Sequence, residues 1–396
     1  MRIEDDPGVE VRAKSPVRVL FLITTLGVGG AEAQLSCVAQ GLASRGWLVK
    51  ILVLHDLPQE VPKTDVGTVE TVPLGARGRL GMVAAMRRLT VEVRRFEADV
   101  VVTLLLQANV IGRLVGLRLG VPVVSSIRNT RFGGPTRLGA CVGDWLERVT
   151  GPASVVTIIN SKRAADALVK RRVVSADRMR VIPNAVANWG YRPGTAVLQQ
   201  ARDELRLTSD AFIWVTAGRL EPQKNLDTLL RAFARLRSEF EQVHLVIAGD
   251  GTLRSDLERL SDALGLTPAT SFLGVRRDLA RVMAVADAFV LASRWEGMPN
   301  VVLESLALAI PTVATAVGGV PELIDDGVDG WLASSPDLAD LHAAMRTVML
   351  TPAAERKRVG RAGRAFVHDH HSPDEVVEAW QRTLRDVIAG EGLGPP

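Results

Sequence analysis

Residues 288–307 read AFVLASRWEGMPNVVLESLA, and the fold can be worked out from this segment. The apolar run 288–292 is followed by a polar turn that contains glycine and proline, and then by a helical pattern that begins near Asn300. The apolar run does not alternate with polar residues, which is typical of a parallel strand covered by helices on both faces. The segment therefore predicts a strand–turn–helix unit of a parallel α/β sheet.

The same succession of apolar runs and helical patterns continues along almost the whole chain. It predicts an α/β fold class with two doubly wound, Rossmann-like domains that face each other across a cleft. Helical patterns include residues 31–44 and 79–96 between strands, and 338–350, 352–366 and 373–388 after the last predicted strand. The predicted strands are residues 17–24, 48–54, 68–73, 99–105, 122–127, 154–159, 180–183, 212–217, 244–248, 270–273, 288–292 and 312–315.

The predicted domain boundary is the segment 184–195, which interrupts this rhythm with Gly190, Pro193 and Gly194. We expect a disordered tail over residues 1–16, an N-terminal Rossmann-like domain over 17–187, and a C-terminal Rossmann-like domain over 188–372. The remaining residues, 373–396, are predicted to form a final helix followed by a tail. A length of 396 residues suits two cores rather than one.

Composition narrows the class of protein. Two cysteines, Cys37 and Cys141, lie far apart, which argues against a disulfide framework or a zinc site and suits a reducing cytoplasm. Residues 1–190 hold 26 Lys and Arg against 16 Asp and Glu, whereas the remainder holds 22 against 28. The basic front half indicates an anionic partner there, such as a membrane surface or a pyrophosphate-bearing acceptor. Dispersed basic residues and a single tyrosine argue against nucleic acid.

The turn after residues 288–292 carries the strongest chemical signal. Asn300 is a residue type that often caps a helix, and the helix after it offers free amides and a positive dipole end to a diphosphate. Glu304 lies one turn into that helix, where its carboxylate can accept hydrogen bonds from ribose hydroxyls. Glu296, in the turn itself, can reach the hydroxyls of a bound sugar. The alternative is a surface loop with incidental acids, but ligands of open α/β sheets bind where strands end.

A second signal follows the first strand of the back half, where residues 218–225 read GRLEPQKN. Arg219 and Lys224 place two cations at a strand-to-helix turn that begins with Gly218. Arginine binds two phosphate oxygens in a fork, and lysine provides a compact charge. The plain alternative is a solvated turn, in which Arg and Lys are common. The occurrence of this motif together with the first one favours the phosphate-binding interpretation.

A third signal is the glycine segment 27–31, GVGGA, directly after the first strand. Glycines let a backbone approach a ligand closely. The spacing matches a dinucleotide fingerprint only partly, because Glu32 stands at the third glycine position. Asp56, after the second strand, could serve as the ribose-binding acid of such a site, so a dinucleotide-dependent oxidoreductase remains an alternative. Gly274 and Val275 follow another strand and could offer backbone groups to a base.

Together these motifs resemble the retaining glycosyltransferases of family four (glycosyl transferases group 1), which have the GT-B fold. The most specific string is EGMPNVVLE at residues 296–304, and the resemblance extends over nearly the whole chain after the tail. Supporting strings are GRLEPQKN at 218–225, VIPN at 181–184 and VGGVPE at 317–322.

The resemblance implies that residues 17–187 form the domain on the acceptor side, that residues 188–372 form the nucleotide-sugar-binding domain, and that the helix at 373–388 crosses back to the N-terminal domain. It also implies a role for each motif. Glu296, Arg219 and Lys224 would be the catalytic residues, with the two cations on the donor diphosphate and Glu296 on the transferred sugar. No metal and no cofactor are implied, since the sequence contains no Asp-x-Asp pair. The implied mechanism is front-side attack with retention, in which fixed positive charge stabilises the leaving diphosphate. The residues implied to bind substrate are Gly29, Gly30, Gly218, Gly274, Val275, Met298, Pro299, Asn300, Val301 and Glu304.

The chain departs from the family pattern after the fifth front strand. Many relatives have a histidine there, near the sugar, whereas residues 125–129 read SSIRN. Arg128 could take the place of that histidine or bind an acceptor phosphate, with Asn129 beside it. This departure concerns the acceptor side of the reaction.

Two further alternatives concern the membrane and the reaction. On a helical wheel of residues 77–96, five arginines lie opposite an apolar side, which fits either an ordinary surface helix or a basic face on anionic lipid. We therefore expect a sugar or lipid-linked acceptor, with an anionic membrane surface as a further candidate partner. A nucleotide-sugar epimerase on the same fold would need acid and base groups that the sequence does not identify.

Overall fold

The computed structural model describes residues 16–390 except Val28, Arg192, Arg206 and the segments 57–68, 130–136, 187–189 and 208–209. Apart from Pro16, the predicted N-terminal tail lies outside the described residues, as do residues 391–396. The described chain forms two parallel sheets with helices between their strands. We call the unit around the first sheet the front lobe and the unit around the second sheet the back lobe.

The front lobe contains a sheet of seven parallel strands in the order β3-β2-β1-β4-β5-β6-β7. All five residues of β4, VVVTL, are buried, as expected for a strand covered on both faces. The elements are β1 Arg18–Ile23, α1 Gly30–Ser44, β2 Leu48–Val53, β3 Glu70–Pro73, α2 Gly78–Phe96, β4 Val100–Leu104, α3 Leu106–Leu119, β5 Val123–Ile127, α4 Arg137–Thr150, β6 Val156–Ile159, α5 Lys162–Lys170 and β7 Met179–Val181.

The back lobe repeats the pattern with six parallel strands in the order β10-β9-β8-β11-β12-β13. Its elements are α6 Thr195–Glu204, β8 Phe212–Ala217, α7 Leu226–Glu239, β9 Val243–Ala248, α8 Arg254–Ala263, β10 Thr270–Phe272, α9 Leu279–Met283, β11 Ala288–Leu291, α10 Asn300–Ala307, β12 Thr312–Thr315, β13 Trp331–Ala333, α11 Leu338–Leu350, α12 Ala353–His370 and α13 Pro373–Ala389.

Each sheet has one switch point, where the chain stops adding strands on one side and begins adding them on the other. In the front lobe it lies between β1 and β4, and in the back lobe between β8 and β11. Loops that leave two neighbouring strands in opposite directions open a crevice there, and ligands of such sheets bind in it. The two-domain α/β fold predicted from sequence is confirmed, with strand ends that agree or differ by at most two residues.

One strand was not predicted. β13 has three residues and pairs with β12, after the turn-rich segment 325–330. A run of three residues is too short to show a period, so pairing with β12 rather than local pattern defines it.

The last helix, α13, packs on the front lobe although it follows the back lobe in sequence. It contacts α1, and five of its side chains are buried in the front-lobe core: Val376, Val377, Trp380, Leu384 and Val387. Gly41 of α1 makes the close approach possible, because a Cβ there would lie 2.4 Å from Val377. The chain therefore links the lobes twice.

Replacing Leu384 with Ala should lower the stability of the front lobe. The side chain is fully buried, and deletion of such a group costs about 2–5 kcal/mol. Urea denaturation followed by circular dichroism measures the change. Glu378→Ala, at an exposed position of the same helix, should leave the midpoint in place. Equal midpoints for Leu384→Ala and wild type would show that α13 is not part of the front-lobe core.

Candidate functional site

The two strongest sequence motifs meet at the switch point of the back lobe. β8 and β11 are neighbours, so the turns that follow them, residues 218–225 and 292–299, lie side by side. The amide of Arg294 donates to the carbonyl of Gln223 (2.8 Å), which joins the two turns directly. Motifs separated by more than seventy residues in sequence thus form one site.

Lys224 and Glu296 form a salt bridge at this junction. The Lys224 Nζ lies 2.6 Å from Glu296 Oε1, and both side chains are largely buried. Ser293 Oγ also donates to Oε1 (2.7 Å), and Gln223 Nε2 donates to Oε2 (3.2 Å). Both carboxylate oxygens therefore accept hydrogen bonds, and the pair is held in a fixed geometry.

Arg219 lies at the same turn but remains exposed. It acts on Glu32, in the first turn of α1 in the front lobe. Burial raises the pKa of the Glu32 carboxyl, while its own backbone amide and the Arg219 charge counteract part of that rise. Arg219 is therefore close enough to influence the front lobe electrostatically, and its guanidinium is accessible to a ligand between the lobes.

The start of α10 differs from the sequence prediction. Pro299, not Asn300, occupies the N-cap position, and the Asn300 side chain makes no capping bond. Asn300 instead reaches into the front lobe, where its Nδ2 donates to the carbonyl of Gly30 (3.0 Å). The amides of Asn300 and Val301 accordingly keep no acceptor among the described residues, as expected at an uncapped helix start.

A buried amide, Asn184, connects the lobes beside this helix. Its Nδ2 donates to Asn300 Oδ1 (2.7 Å) and to the carbonyl of Met298 (2.9 Å). Its Oδ1 accepts from Arg128 (2.7 Å) and from Asn160 Nδ2 (3.4 Å). The Asn184 side chain thus ties the start of α10 to the ends of β5 and β6.

Glu322 makes a second connection between the lobes. One carboxylate oxygen accepts from Ser161 Oγ (2.8 Å) and from the Arg163 amide (2.6 Å), and the other accepts from the Lys162 amide (3.0 Å). A back-lobe acid therefore occupies the positive end of the front-lobe helix α5. The loop that carries Glu322 also contacts the turn 292–299, since a Cβ on Gly318, whose φ is +55°, would lie 2.1 Å from the Glu296 carbonyl.

Glu304 is the one acid of the motif that makes no side-chain hydrogen bond or ion pair within the described part of the chain. It is 8% exposed, and burial raises its pKa to about 7. A buried carboxyl without donors is unfavourable unless a ligand supplies them. Its position one turn into α10 puts it near the same switch point as Lys224.

Arg128 lies at the interlobe contact and not in an open cleft. Its guanidinium donates to Asn184 and sits over the Trp380 ring of α13 at 5.6 Å, and burial lowers its pKa to about 10. Asn129, half-buried, follows it. The structure therefore brings Arg128 to α13 and Asn184, while its predicted acceptor role stays a prediction.

The remaining predicted residues lie around the rim. Gly29 is the N-cap of α1, and Gly30 faces Asn300 across the lobes. Gly274 follows β10 and accepts a hydrogen bond from the Gly249 amide (2.7 Å), two strands from β8, and Val275 is 55% exposed. Gly218 has a φ of +150° and lies against the Lys224 stem.

Two features of the front lobe do not favour the alternatives considered from the sequence, which are a dinucleotide site at Asp56 and a membrane-binding helix at residues 77–96. Asp56, the candidate ribose acid of an oxidoreductase, forms a salt bridge with Arg77. The apolar side of α2, including Leu89 and Val93, is buried, so α2 packs as an ordinary surface helix. Among the described residues, no cluster of three or more His, Cys, Asp or Glu could hold a metal, and no helix is long and apolar enough to cross a bilayer.

Sequence reasoning did not find Asn160 and Ser161, which contact Asn184 and Glu322. A signal for them was present, because a polar Asn-Ser pair follows the apolar run 154–159 and serine is a common helix cap. The Ser161 side chain does cap α5, accepting from the Ala164 amide at 3.0 Å. Its contact with Glu322, 161 residues away, has no local signature.

Comparison with known protein families identifies the chain. The family model described as "Glycosyl transferases group 1" matches residues 199–366, and that described as "Glycosyl transferase 4-like domain" matches residues 29–185. A D-inositol 3-phosphate glycosyltransferase of Geodermatophilus obscurus is 30% identical, over 91% of this chain and 84% of the relative. The chain belongs to the group 1 glycosyl transferases. Neither the epimerase nor the oxidoreductase alternative has support among these matches.

Other glycosyltransferases are similar over long stretches. A UDP-Gal:alpha-D-GlcNAc-diphosphoundecaprenol alpha-1,3-galactosyltransferase of Escherichia coli is 27% identical over 62% of this chain and 65% of its own. The crystal structure of Anabaena Alr3699/HepE with UDP-glucose superposes with a TM-score of 0.82 at 20% identity, over 93% of this chain and 99% of that one. WaaG, a glycosyltransferase involved in lipopolysaccharide biosynthesis, has a TM-score of 0.73 at 17% identity, over 94% and 100%. The glycosyltransferase thus has the GT-B fold.

Replacing Glu322 with Ala should loosen the contact between the lobes. The change removes three hydrogen bonds at the start of α5, worth roughly 1–3 kcal/mol together with the helix dipole. Hydrogen exchange should become faster at the Lys162 and Arg163 amides by about tenfold or more. Glu355→Ala, in the exposed first turn of α12, is the control. Unchanged exchange at both amides would contradict the contact.

Glu304 should make the stability of the unliganded protein depend on pH. Its folded pKa of about 7 lies above the ordinary 4.5, so the destabilisation is absent below pH 4.5 and develops as the pH rises to 7. Glu304→Gln should therefore be more stable than wild type at pH 8, by about 3 kcal/mol, and equal to it near pH 4. Urea midpoints at both pH values test this, with exposed Glu378→Gln as control. A pH-independent difference would contradict it.

Proposed function

We propose that this glycosyltransferase is a retaining, metal-independent enzyme that moves a hexosyl or related unit from a nucleoside-diphosphate sugar to an acceptor hydroxyl. The observation that carries the proposal is the salt-bridged pair Lys224–Glu296 at the β8/β11 switch point, next to the uncapped start of α10. Cations, free amides and acids meet there as a sugar diphosphate requires.

The diphosphate of the donor would be bound by Arg219, Lys224 and the first amides of α10. Lys224 keeps two ammonium protons for phosphate while one remains on Glu296, and Arg219 is accessible from the cleft. The amides of Asn300 and Val301 add the positive end of α10. Lys224 and the α10 amides are held in place before the ligand arrives, so they can stabilise the negative charge of the leaving group without first having to reorient.

The two acids would bind the two sugars of the donor. Glu304 lacks donors of its own, so ribose hydroxyls can supply the hydrogen bonds that its buried carboxyl needs. Glu296 is held by Lys224, Gln223 and Ser293, and this fixed position suits an acceptor for the hydroxyls of the transferred sugar. A carboxylate engaged on both oxygens is also a poor nucleophile, which favours direct transfer over a covalent intermediate.

The reaction would then proceed on one face of the sugar. The bond between the anomeric carbon and the diphosphate oxygen breaks, and the acceptor oxygen bonds to that carbon from the same side. The acceptor proton passes to the departing diphosphate, whose developing charge Arg219 and Lys224 stabilise. Atoms and charge balance without a metal or another cofactor.

The acceptor is proposed to be a sugar or a lipid-linked sugar in polysaccharide or glycolipid assembly. Positions 1–190 contain 26 basic and 16 acidic residues. This excess of positive charge favours an anionic acceptor or an anionic membrane surface near the front lobe. The free thiols Cys37 and Cys141 suit a reducing cytoplasm, where we place the reaction. Arg128 and Asn129 remain the candidate residues on the acceptor side.

Thermal stability in the presence of nucleotides tests the donor class. A ligand of the folded state raises the melting temperature, so one or more of UDP, GDP, ADP and their sugars should do so, while NAD and NADP should not. Phosphorus and proton NMR of the slow hydrolysis of the active donor would then show the anomeric configuration of the released sugar. Stabilisation by a dinucleotide alone, or release with inversion, would overturn the proposal.

Lys224→Gln tests the diphosphate contact. The amide can still donate to Glu296, but the charge is lost, so binding of the stabilising nucleoside diphosphate should weaken by about 10–100-fold. Titration calorimetry measures this, and circular dichroism checks that the fold is kept. Lys357→Gln, at an exposed position of α12, should bind like wild type. Equal affinities for both variants would remove Lys224 from the site.

A further inference from the structure

The helix α4 of the front lobe is turned the opposite way from an ordinary surface helix. Its inward positions, 140, 143, 147 and 150, hold Ala, Gly, Glu and Thr, and Glu147 is only 1% exposed. A surface helix normally buries its apolar side and exposes its polar side. In α4 the buried side is small or polar, so its apolar residues lie outside.

A buried salt bridge fixes this orientation. Glu147 Oε2 lies 2.6 Å from Arg113 of α3, and its Oε1 accepts from Asn109 (3.1 Å). The Arg113 guanidinium also donates to Ser154 (2.8 Å) and to Thr150 (3.0 Å). Removing Glu147 from this network would leave a buried arginine without its counterion, so α4 cannot rotate to hide its apolar side.

The outward side of α4 is a continuous apolar stripe. Its members follow the helical spacing of four, three and four residues, and each is about half or more exposed: Leu138 (76%), Val142 (48%), Trp145 (59%) and Val149 (58%). Cys141, also exposed, lies within the stripe. The neighbouring helix α3, which packs against α4, adds exposed Leu114 (46%) and Leu117 (72%). We call these six large apolar side chains the α4 face.

Cations flank the α4 face, whereas the two acids of α4 itself point away from it. Arg148 of α4 is exposed and donates to the Arg171 carbonyl, which brings the end of α5 with Lys170 and Arg172 next to the stripe. The two acids of α4 are both turned inward onto arginines, Glu147 onto Arg113 and Asp144 onto Arg171. The surface thus combines large apolar groups, one of them Trp, with exposed positive charge.

We propose that the α4 face inserts into the headgroup region of an anionic lipid bilayer and so docks the front lobe on a membrane. An amphipathic helix with Trp and Leu on one side and flanking cations has the chemistry of interfacial helices. A second copy of this chain fits less well, because two-fold pairing would bring the same cations together. The inference is independent of donor binding and adds a specific surface to the membrane contact proposed above.

The charge of α2 adds to this docking without supplying the inserted face. α3 packs against both α2 and α4, so the three helices lie next to one another. The outward side of α2 carries exposed Arg87, Arg88, Arg94 and Arg95, while its long apolar side chains pack toward the sheet. Attraction by α2 at a distance and insertion by α4 are therefore distinct and can be separated by mutation.

Vesicle binding by the full-length protein tests the proposal. Wild type should sediment with vesicles of phosphatidylglycerol and phosphatidylcholine, and much less with phosphatidylcholine alone. Leu138→Ser/Trp145→Ser should reduce partitioning to the anionic vesicles by about tenfold or more. Val83→Ser/Val91→Ser, which removes two exposed valines of α2, is the matched control and should bind like wild type. Equal binding by both double variants would overturn the assignment to α4.

A fluorescent label provides a second readout that does not depend on sedimentation. In a Cys37→Ser background, a polarity-sensitive dye on Cys141 should shift to shorter wavelength with anionic vesicles and stay unchanged with neutral ones. No shift, or a monomer–dimer equilibrium that Trp145→Ser abolishes in light scattering, would overturn the proposal. Nucleoside-diphosphate stabilisation should be retained in Leu138→Ser/Trp145→Ser, so failure here is distinguishable from failure of the proposed function.

Discussion

The two lobes are held in register by the side chain of Asn184, and the rest of the site depends on this contact. The amide is 3% exposed and binds the start of α10 through Asn300 and the Met298 carbonyl, while its oxygen binds Arg128 at the end of β5. A buried amide must satisfy its donors and its acceptor together, so a shift of one lobe would break several bonds at once. The distance between α1 and the start of α10 is thereby fixed.

This contact explains why α13 returns to the front lobe. Arg128 donates to Asn184 and is covered by Trp380, and the Nδ1 of His371, just before α13, donates to the Asn184 carbonyl (2.9 Å). Burial lowers the pKa of His371, which keeps the ring neutral in the interior. The helix therefore covers one side of the interlobe contact, and this attachment together with that of Glu322 restricts how the lobes can rotate.

The sequence was sufficient for the parts of the fold that local pattern determines. Continuous apolar runs such as 100–104 predicted buried parallel strands. The turns after β8 and β11, predicted as site loops because ligands bind at strand ends, lie side by side in the structure. The prediction that Asn300 caps α10 was wrong, because the Asn300 side chain forms its hydrogen bonds with residues of the front lobe and not with its own helix. Likewise β13 and the contacts of Arg128 and Glu322 depend on partners far away in sequence, which no local period reveals.

The two acids of the α10 motif, Glu296 and Glu304, lie in different electrostatic environments. Glu296 is paired with Lys224 and accepts hydrogen bonds on both oxygens, so its position and that of the loop are fixed in the unliganded protein. Glu304 is buried without donors and has a pKa of about 7, so it destabilises the unliganded fold near neutral pH. A ligand with two neighbouring hydroxyl groups would supply the hydrogen bonds that Glu304 lacks. Part of its binding free energy would then come from removing this destabilisation. In the donor complex proposed above, recognition of the ribose rests on Glu304, the acid without donors, whereas Glu296 and Lys224 hold the surrounding turns in place.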